Sequence, residues 1–209
     1  IDTDNLGIIN MADYNTLILA DGWYDLSDGQ KKNIDDFISK GGKVIAIQNA
    51  LSLFENREGY NLTQFATNEE KDAAKKQSDD DALAMRFQKY QNSERRFISN
   101  GVQGAIIENV LDKTHPLSYG LGDRYYSLKT SDRYFKVLKN VWNVAFVPEN
   151  YKSYGFNGTN LKKKLGNTVS FAVEPYGRGK VIYMIDNPLF RGFWENGNLL
   201  FSNALFLVE

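Results

Sequence analysis

Gln48 and Asn49 stand where a strand-to-helix turn would present a nucleophile. Residues Gly41-Gly42-Lys43-Val44-Ile45-Ala46-Ile47-Gln48-Asn49-Ala50 read as a glycine helix stop, a buried strand and a tight turn. In many α/β folds the residue after such a strand is held at the sheet's carboxyl edge, where a Ser or Cys attacks a carbonyl. Glutamine is neither a useful nucleophile nor a titratable base. The turn has the form of an active site without its chemistry. A carboxamide does offer both donors and acceptors, so Gln48 and Asn49 are candidate ligand contacts, second to a relic turn that satisfies local backbone groups.

Little other chemistry is available. Cysteine is absent, which removes thiol catalysis, disulfides and cysteine metal sites together. His115 is the one histidine, and a catalytic zinc site generally needs three protein ligands, so a self-contained histidine zinc site is excluded. No cofactor is expected in the chain. Carboxylates are plentiful (Asp21, Asp25, Glu55, Asp186, Glu195), but spacing puts no two of them together. Gly177 and Gly179 do not make a phosphate loop, because no Lys-Ser or Lys-Thr pair follows to open a helix. Trp23, Tyr24, Phe190, Arg191, Phe193 and Trp194 flank expected strand ends, where α/β ligand sites lie. They suit an interface first and a small-molecule pocket second. The candidate binding residues are therefore Trp23, Gln48, Asn49, Asn187, Arg191 and Trp194.

The elements that position these residues begin with Thr16–Ala20, a short apolar run that reads as a buried parallel strand. Ser27-Asp28-Gly29-Gln30 has capping-box spacing, Ile34, Phe37 and Ile38 supply one apolar face, and Gly41-Gly42 stops the helix. Val44–Ile47 is the next strand. Between about 59 and 100 the texture changes: a second capping box (Thr67-Asn68-Glu69-Glu70), an Asp72–Lys76 pair, and Leu83, Phe87 and Tyr90 on one stripe predict one or two inserted amphipathic helices. Ala105–Leu111, Val141–Val147, Thr168–Glu174 and Lys180–Ile185 read as strands, the last two joined by a glycine-bearing hairpin. Gly197–Val208 reads as a closing helix.

With 209 residues, 42% hydrophobic and 24% charged, the chain suits one α/β domain with a sizeable core. A net charge of −1 with no basic face argues against nucleic acid. No apolar run approaches a membrane span, and no signal peptide is visible. The start at Ile1 predicts a fragment or a processed product.

The run Asn15–Leu51 resembles the class I glutamine amidotransferase-like fold. In that family the turn carries a cysteine in a pattern such as Ala-Ile-Cys-X-Gly, where this chain has Ala46-Ile47-Gln48-Asn49-Ala50. The family's His-Pro-Glu falls near Asn187-Pro188-Leu189, so nucleophile, base and orienting acid are all replaced. Further phrases resemble the domain on the carboxyl side of secreted bacterial zinc carboxypeptidases: Ile45–Phe54, Thr114-His115-Pro116-Leu117 with Gly120-Leu121-Gly122, and Asp186–Arg191 with Phe193-Trp194. The resemblance implies a flavodoxin-like sandwich over residues 1–209: a mostly parallel central sheet with helices on both faces, antiparallel strands toward the C-terminal half and a helical insertion. It also implies that Ile1–Asp4 ends a second strand, with a strand–helix unit upstream. In function it implies a non-catalytic accessory domain, secreted or periplasmic, whose partner is an upstream carboxypeptidase domain holding the zinc, with a peptide or cell-wall-derived ligand. The alternatives are a trimerisation-like oligomerisation domain, a small-ligand or glycan-binding module of another secreted hydrolase, and a hydrolase using Asp and Glu.

Overall fold

The computed structural model describes residues 2–64, Asp72, Lys75, Lys76 and 93–209. The opening strand–helix–strand unit forms where the sequence places it. Strands β1 (Thr16–Leu19) and β2 (Lys43–Ile47) pair in parallel around helix α1 (Asp28–Ser39). Helix α1 starts because Ser27 closes a complete capping box: its hydroxyl accepts from the Gln30 amide, and the Gln30 side chain accepts from the Ser27 amide at 2.8 Å. It stops because Gly41, at φ 117°, turns the chain so that the Gly41 and Gly42 amides donate back to Ile38 and Phe37. β1 lies at the sheet's edge and is less covered than expected, with Leu17 and Leu19 inward and Ile18 44% exposed.

The remaining strands are β3 (Val102–Leu111), β4 (Arg124–Lys129), β5 (Phe135–Lys136), β6 (Trp142–Val147), β7 (Ser153–Asn157), β8 (Thr168–Tyr176) and β9 (Gly179–Met184). Helices α2 (Ser93–Asn100), α3 (Thr159–Leu165) and α4 (Glu195–Phe206) accompany them. The described strands form one sheet in the order β1-β2-β9-β8-β6-β3-β4, with β5 on β8 and β7 on β3.

Parallel pairing is confined to β1–β2 and β2–β9; all other described pairings are antiparallel. This corrects the expected flavodoxin-like, mostly parallel sheet. A parallel neighbour needs a crossover of about a dozen or more residues, usually with a helix. Two of the connections after β2 are too short for one or carry no α-helix. β8 turns into β9 through Gly177 and Arg178 alone, and the loop between β3 and β4 carries only a short 3-10 turn at Pro116–Ser118. A second correction falls at the N-terminus, where Thr3–Gly7 form a 3-10 turn capped by Asp2 rather than the end of a strand. The Thr67–Glu70 box and the Leu83, Phe87, Tyr90 stripe lie outside the described residues; Asp72, Lys75 and Lys76 are helical and exposed.

Strand alternation divides the core. Val44, Ala46, Val181 and Tyr183 face α1, whereas Ile45, Ile47, Ile182 and Met184 share a cluster with Leu200 and Ala204 of α4 and with Val208 just past it. A third cluster, Ala105, Ile107, Val147, Leu161 and Leu165, seats α3. The sheet curls strongly into a half-barrel. Three strands separate β9 from β4 in the order, which in a flat sheet would mean about 19 Å at the usual strand spacing. Yet Lys129 Nζ on β4 lies 3.1 Å from Asp186 Oδ1 just past β9.

Candidate functional site

The curl brings the end of β4 over the carboxyl ends of β2 and β9. Gln48 follows β2 directly with φ 48°, in the left-handed region that costs a non-glycine residue strain. It opens a 3-10 turn (Gln48–Leu53) that buries Ala50, Leu51 and Leu53. The nucleophile-like backbone is therefore present. The side chain, however, is turned inward: Gln48 is 7% exposed, and its Nε2 donates to Thr130 Oγ1 at 3.1 Å. Packing of the 3-10 turn beneath the sheet edge holds it there.

Around Gln48 a polar and aromatic cluster assembles. Arg133 Nη1 donates to the Gln48 carbonyl at 3.4 Å, and its other terminal nitrogen pairs with Glu55. The guanidinium lies 5.9 Å from the Trp23 ring centroid and 5.5 Å from that of Phe135. Asp21 Oδ1 accepts from the Asn49 amide at 3.2 Å, tying the loop after β1 to the turn after β2. Tyr24 braces the same loop by donating to the Ala20 carbonyl at 3.0 Å; burial, then the Asp21 charge, raises its pKa. Trp23 is left 74% exposed at the rim.

Of the six candidate residues, the fold thus joins Trp23, Gln48 and Asn49. The other three form a second group beyond β9. Asn187 is half-buried and its Oδ1 accepts from the Leu189 amide at 2.9 Å, a local turn contact. Arg191, exposed at φ 52°, lies over Phe190, with 5.3 Å from its guanidinium to the ring centroid. Trp194 Nε1 donates to the Tyr126 carbonyl at 2.9 Å while its ring packs on the α4 side of the core. Among the described residues no hydrogen bond or ring contact joins the two groups. Thr130 and Arg133 were not candidates. Arg133 lies 85 positions from Gln48, and no local pattern marks it.

Beneath the rim is a buried polar network. Ser127 Oγ donates to Asp186 Oδ2 at 2.6 Å, Lys129 holds Asp186 Oδ1, and Asn109 Nδ2 donates to Ser127 Oγ at 3.1 Å. Tyr125 shares this face, and burial, then the Asp186 charge, pushes its hydroxyl pKa up. Two of the carboxylates available to a hydrolase are engaged here: Asp186 by Lys129 and Ser127, Glu55 by Arg133. Among the described residues no three of His, Asp and Glu converge as a metal site. Nor is any described helix long and apolar enough to cross a membrane. What remains at the rim is an exposed indole beside fixed donors and acceptors, an arrangement suited to holding a polar ring reversibly.

No protein-family model matches the chain, and no curated protein does. Similar solved structures exist. A thuA-like protein from Bacteroides uniformis shares 15% identity, with 97% of this chain and 74% of that one covered and a TM-score of 0.49. A cytoplasmic protein from Salmonella typhimurium shares 12%, covering 99% and 78%, with a TM-score of 0.49. A β-galactosidase from Bacillus circulans sp. alkalophilus shares 12%, covering 95% of this chain but 23% of the enzyme, with a TM-score of 0.43. The resemblance to a zinc carboxypeptidase accessory domain is corrected along with the mostly parallel sheet it implied, since the described sheet is mostly antiparallel and no family model matches: the metallocarboxypeptidase parent, the upstream peptidase partner and the proteolytic setting are set aside. Short phrases such as Thr114-His115-Pro116-Leu117 form local turns here, with His115 Nδ1 accepting from the Leu117 amide at 3.0 Å, and turn chemistry of this kind recurs across unrelated proteins.

Proposed function

We propose that this chain is a carbohydrate-binding module that takes a neutral saccharide at the carboxyl edge of β1 and β2. Trp23 carries the reading. An indole left 74% exposed beside an arginine already paired to Glu55 is an aromatic platform on a rim whose local charge is balanced. A pyranose ring has an apolar C–H face and a perimeter of hydroxyls. The indole covers the first, since aromatic rings give contact area at low conformational cost. Asp21, Asn49, Glu55 and Arg133 supply acceptors and donors for the second. Gln48 acts from below as a positioning residue, its carbonyl helping to fix Arg133.

Titration calorimetry against a panel of neutral oligosaccharides tests this. The wild-type chain is expected to bind at least one of them, and Trp23→Ala to weaken it by about tenfold or more, the loss typical of a hot-spot aromatic. Circular dichroism of the variant should be unchanged, because the side chain is exposed. Binding that survives Trp23→Ala undiminished, or a panel that shows none, would overturn the assignment.

A further inference from the structure

We infer a second, separate site at the opposite end of the sheet, for a small zwitterion with an apolar side chain: a free amino acid or a short peptide of that character. The residues preceding β1, the C-terminal half of α1 and the glycines preceding β2 enclose a cavity of about 400 Å³. That volume falls within the range of small-ligand pockets, roughly 300–1,000 Å³. Its apolar lining comes from Ile9, Met11 and Phe37, of which Met11 and Phe37 are buried.

The charges at its mouth define the ligand. Asp36, in the last turn of α1, and Lys40, which caps its C-terminus, both line the cavity four residues apart. That spacing normally favours an ion pair, yet the two side chains form none with each other or with any other described group. An exposed acid and base that both line a cavity, neither of them paired, suit a molecule carrying both opposite charges. Asn33 donates its Nδ2 to the Leu6 carbonyl, which leaves its Oδ1 free to join Asp36 in receiving an ammonium. Asn15, also at the mouth, can join Lys40 in donating to a carboxylate. The ligand's side chain then lies toward Phe37 and Met11. Gly41 adds room, since a Cβ there would meet nothing within 4 Å.

The test uses the whole 209-residue chain, with free L-leucine and L-phenylalanine as probes against N-acetyl-L-phenylalanine and L-phenylalanine methyl ester. Binding is followed by amide chemical shifts, which also report where on the chain it occurs. The free amino acids are expected to saturate at millimolar concentration with shifts at Asn15, Phe37 and Gly41. Blocking either terminus should weaken binding by about tenfold, a charge-assisted contact being lost each time. Asp36→Asn and Lys40→Met should each do the same while leaving the melting temperature in place. The site is refuted if neither amino acid binds, or if both variants bind as the wild type does. Either result leaves the saccharide rim untouched, because Trp23 lies at the other end of the sheet.

Discussion

His115 shows how a single residue can be conspicuous in a sequence and ordinary in a fold. It caps the Pro116–Ser118 turn through Nδ1, which requires the neutral ring, and it packs against Trp142 at 5.9 Å between centroids. Burial, the largest influence, lowers its pKa below the ordinary 6.5, with the Asp112 charge opposing. Folding therefore favours the unprotonated form, and the unfolded chain takes up the proton first. The contribution to stability is constant above the unfolded value and is lost as pH falls from there through the folded one. Melting temperature should accordingly decline on acidification from neutrality toward pH of about 5, and His115→Asn, which keeps a cap acceptor, should remove that slope. An identical slope in wild type and variant would assign the effect elsewhere. Trp23 and Gln48 are the reverse case. Their types suggested binding, but only the fold separated them into an exposed ring at the rim and a buried side chain beneath it.

At the scale of elements, α1 is the part most fully dictated by local sequence. Ser27 and Gln30 define its start, and Gly41 its end. Ser27→Ala should cost about 1 kcal/mol in urea denaturation, the usual worth of an N-cap. Gly179→Ala should cost much more although it lies in a strand. A methyl group there would collide with the carbonyl oxygens of Ile38 and Gly42, both backbone atoms that cannot step aside. If the two variants proved equally stable, the tight seating of β9 on the end of α1 would be wrong. Elements without local signals were not foreseen. β4, β5, β7 and α3 lacked a marked period: β4 turns Tyr125, Ser127 and Lys129 inward and leaves Tyr126 partly exposed, the inverse of the usual polar-out pattern.

For the whole molecule, that inverted strand is the key to the curl. Lys129 and Asp186, 5% and 3% exposed in their side chains, join strands far apart in the sheet order. Removing one partner of a buried ion pair strands the other charge, so Lys129→Met should destabilise by about 3–5 kcal/mol. Adding Asp186→Leu should recover much of that loss, because no charge is then left buried. A single variant within about 0.5 kcal/mol of wild type, the range of surface substitutions, would show that the pair does not hold the sheet closed. The same closure carries Thr130 and Arg133 to Gln48. The rim around Trp23 and the curl are one feature seen at two scales.

The sequence by itself determined α1 and its caps, strands β2, β3, β6, β8 and β9, the β8–β9 hairpin, and the tight turn at Gln48 without a nucleophile. These follow from periodicity, capping and glycine placement, which act over a few residues. The tertiary structure alone decided the order of the strands and how far antiparallel pairing extends beyond the β8–β9 hairpin, the curl, and which of the candidate residues meet. Those outcomes depend on pairings such as Arg133 with Glu55 and Lys129 with Asp186, 78 and 57 positions apart. Burial and charge neutralisation select such pairs only once the chain has closed on itself.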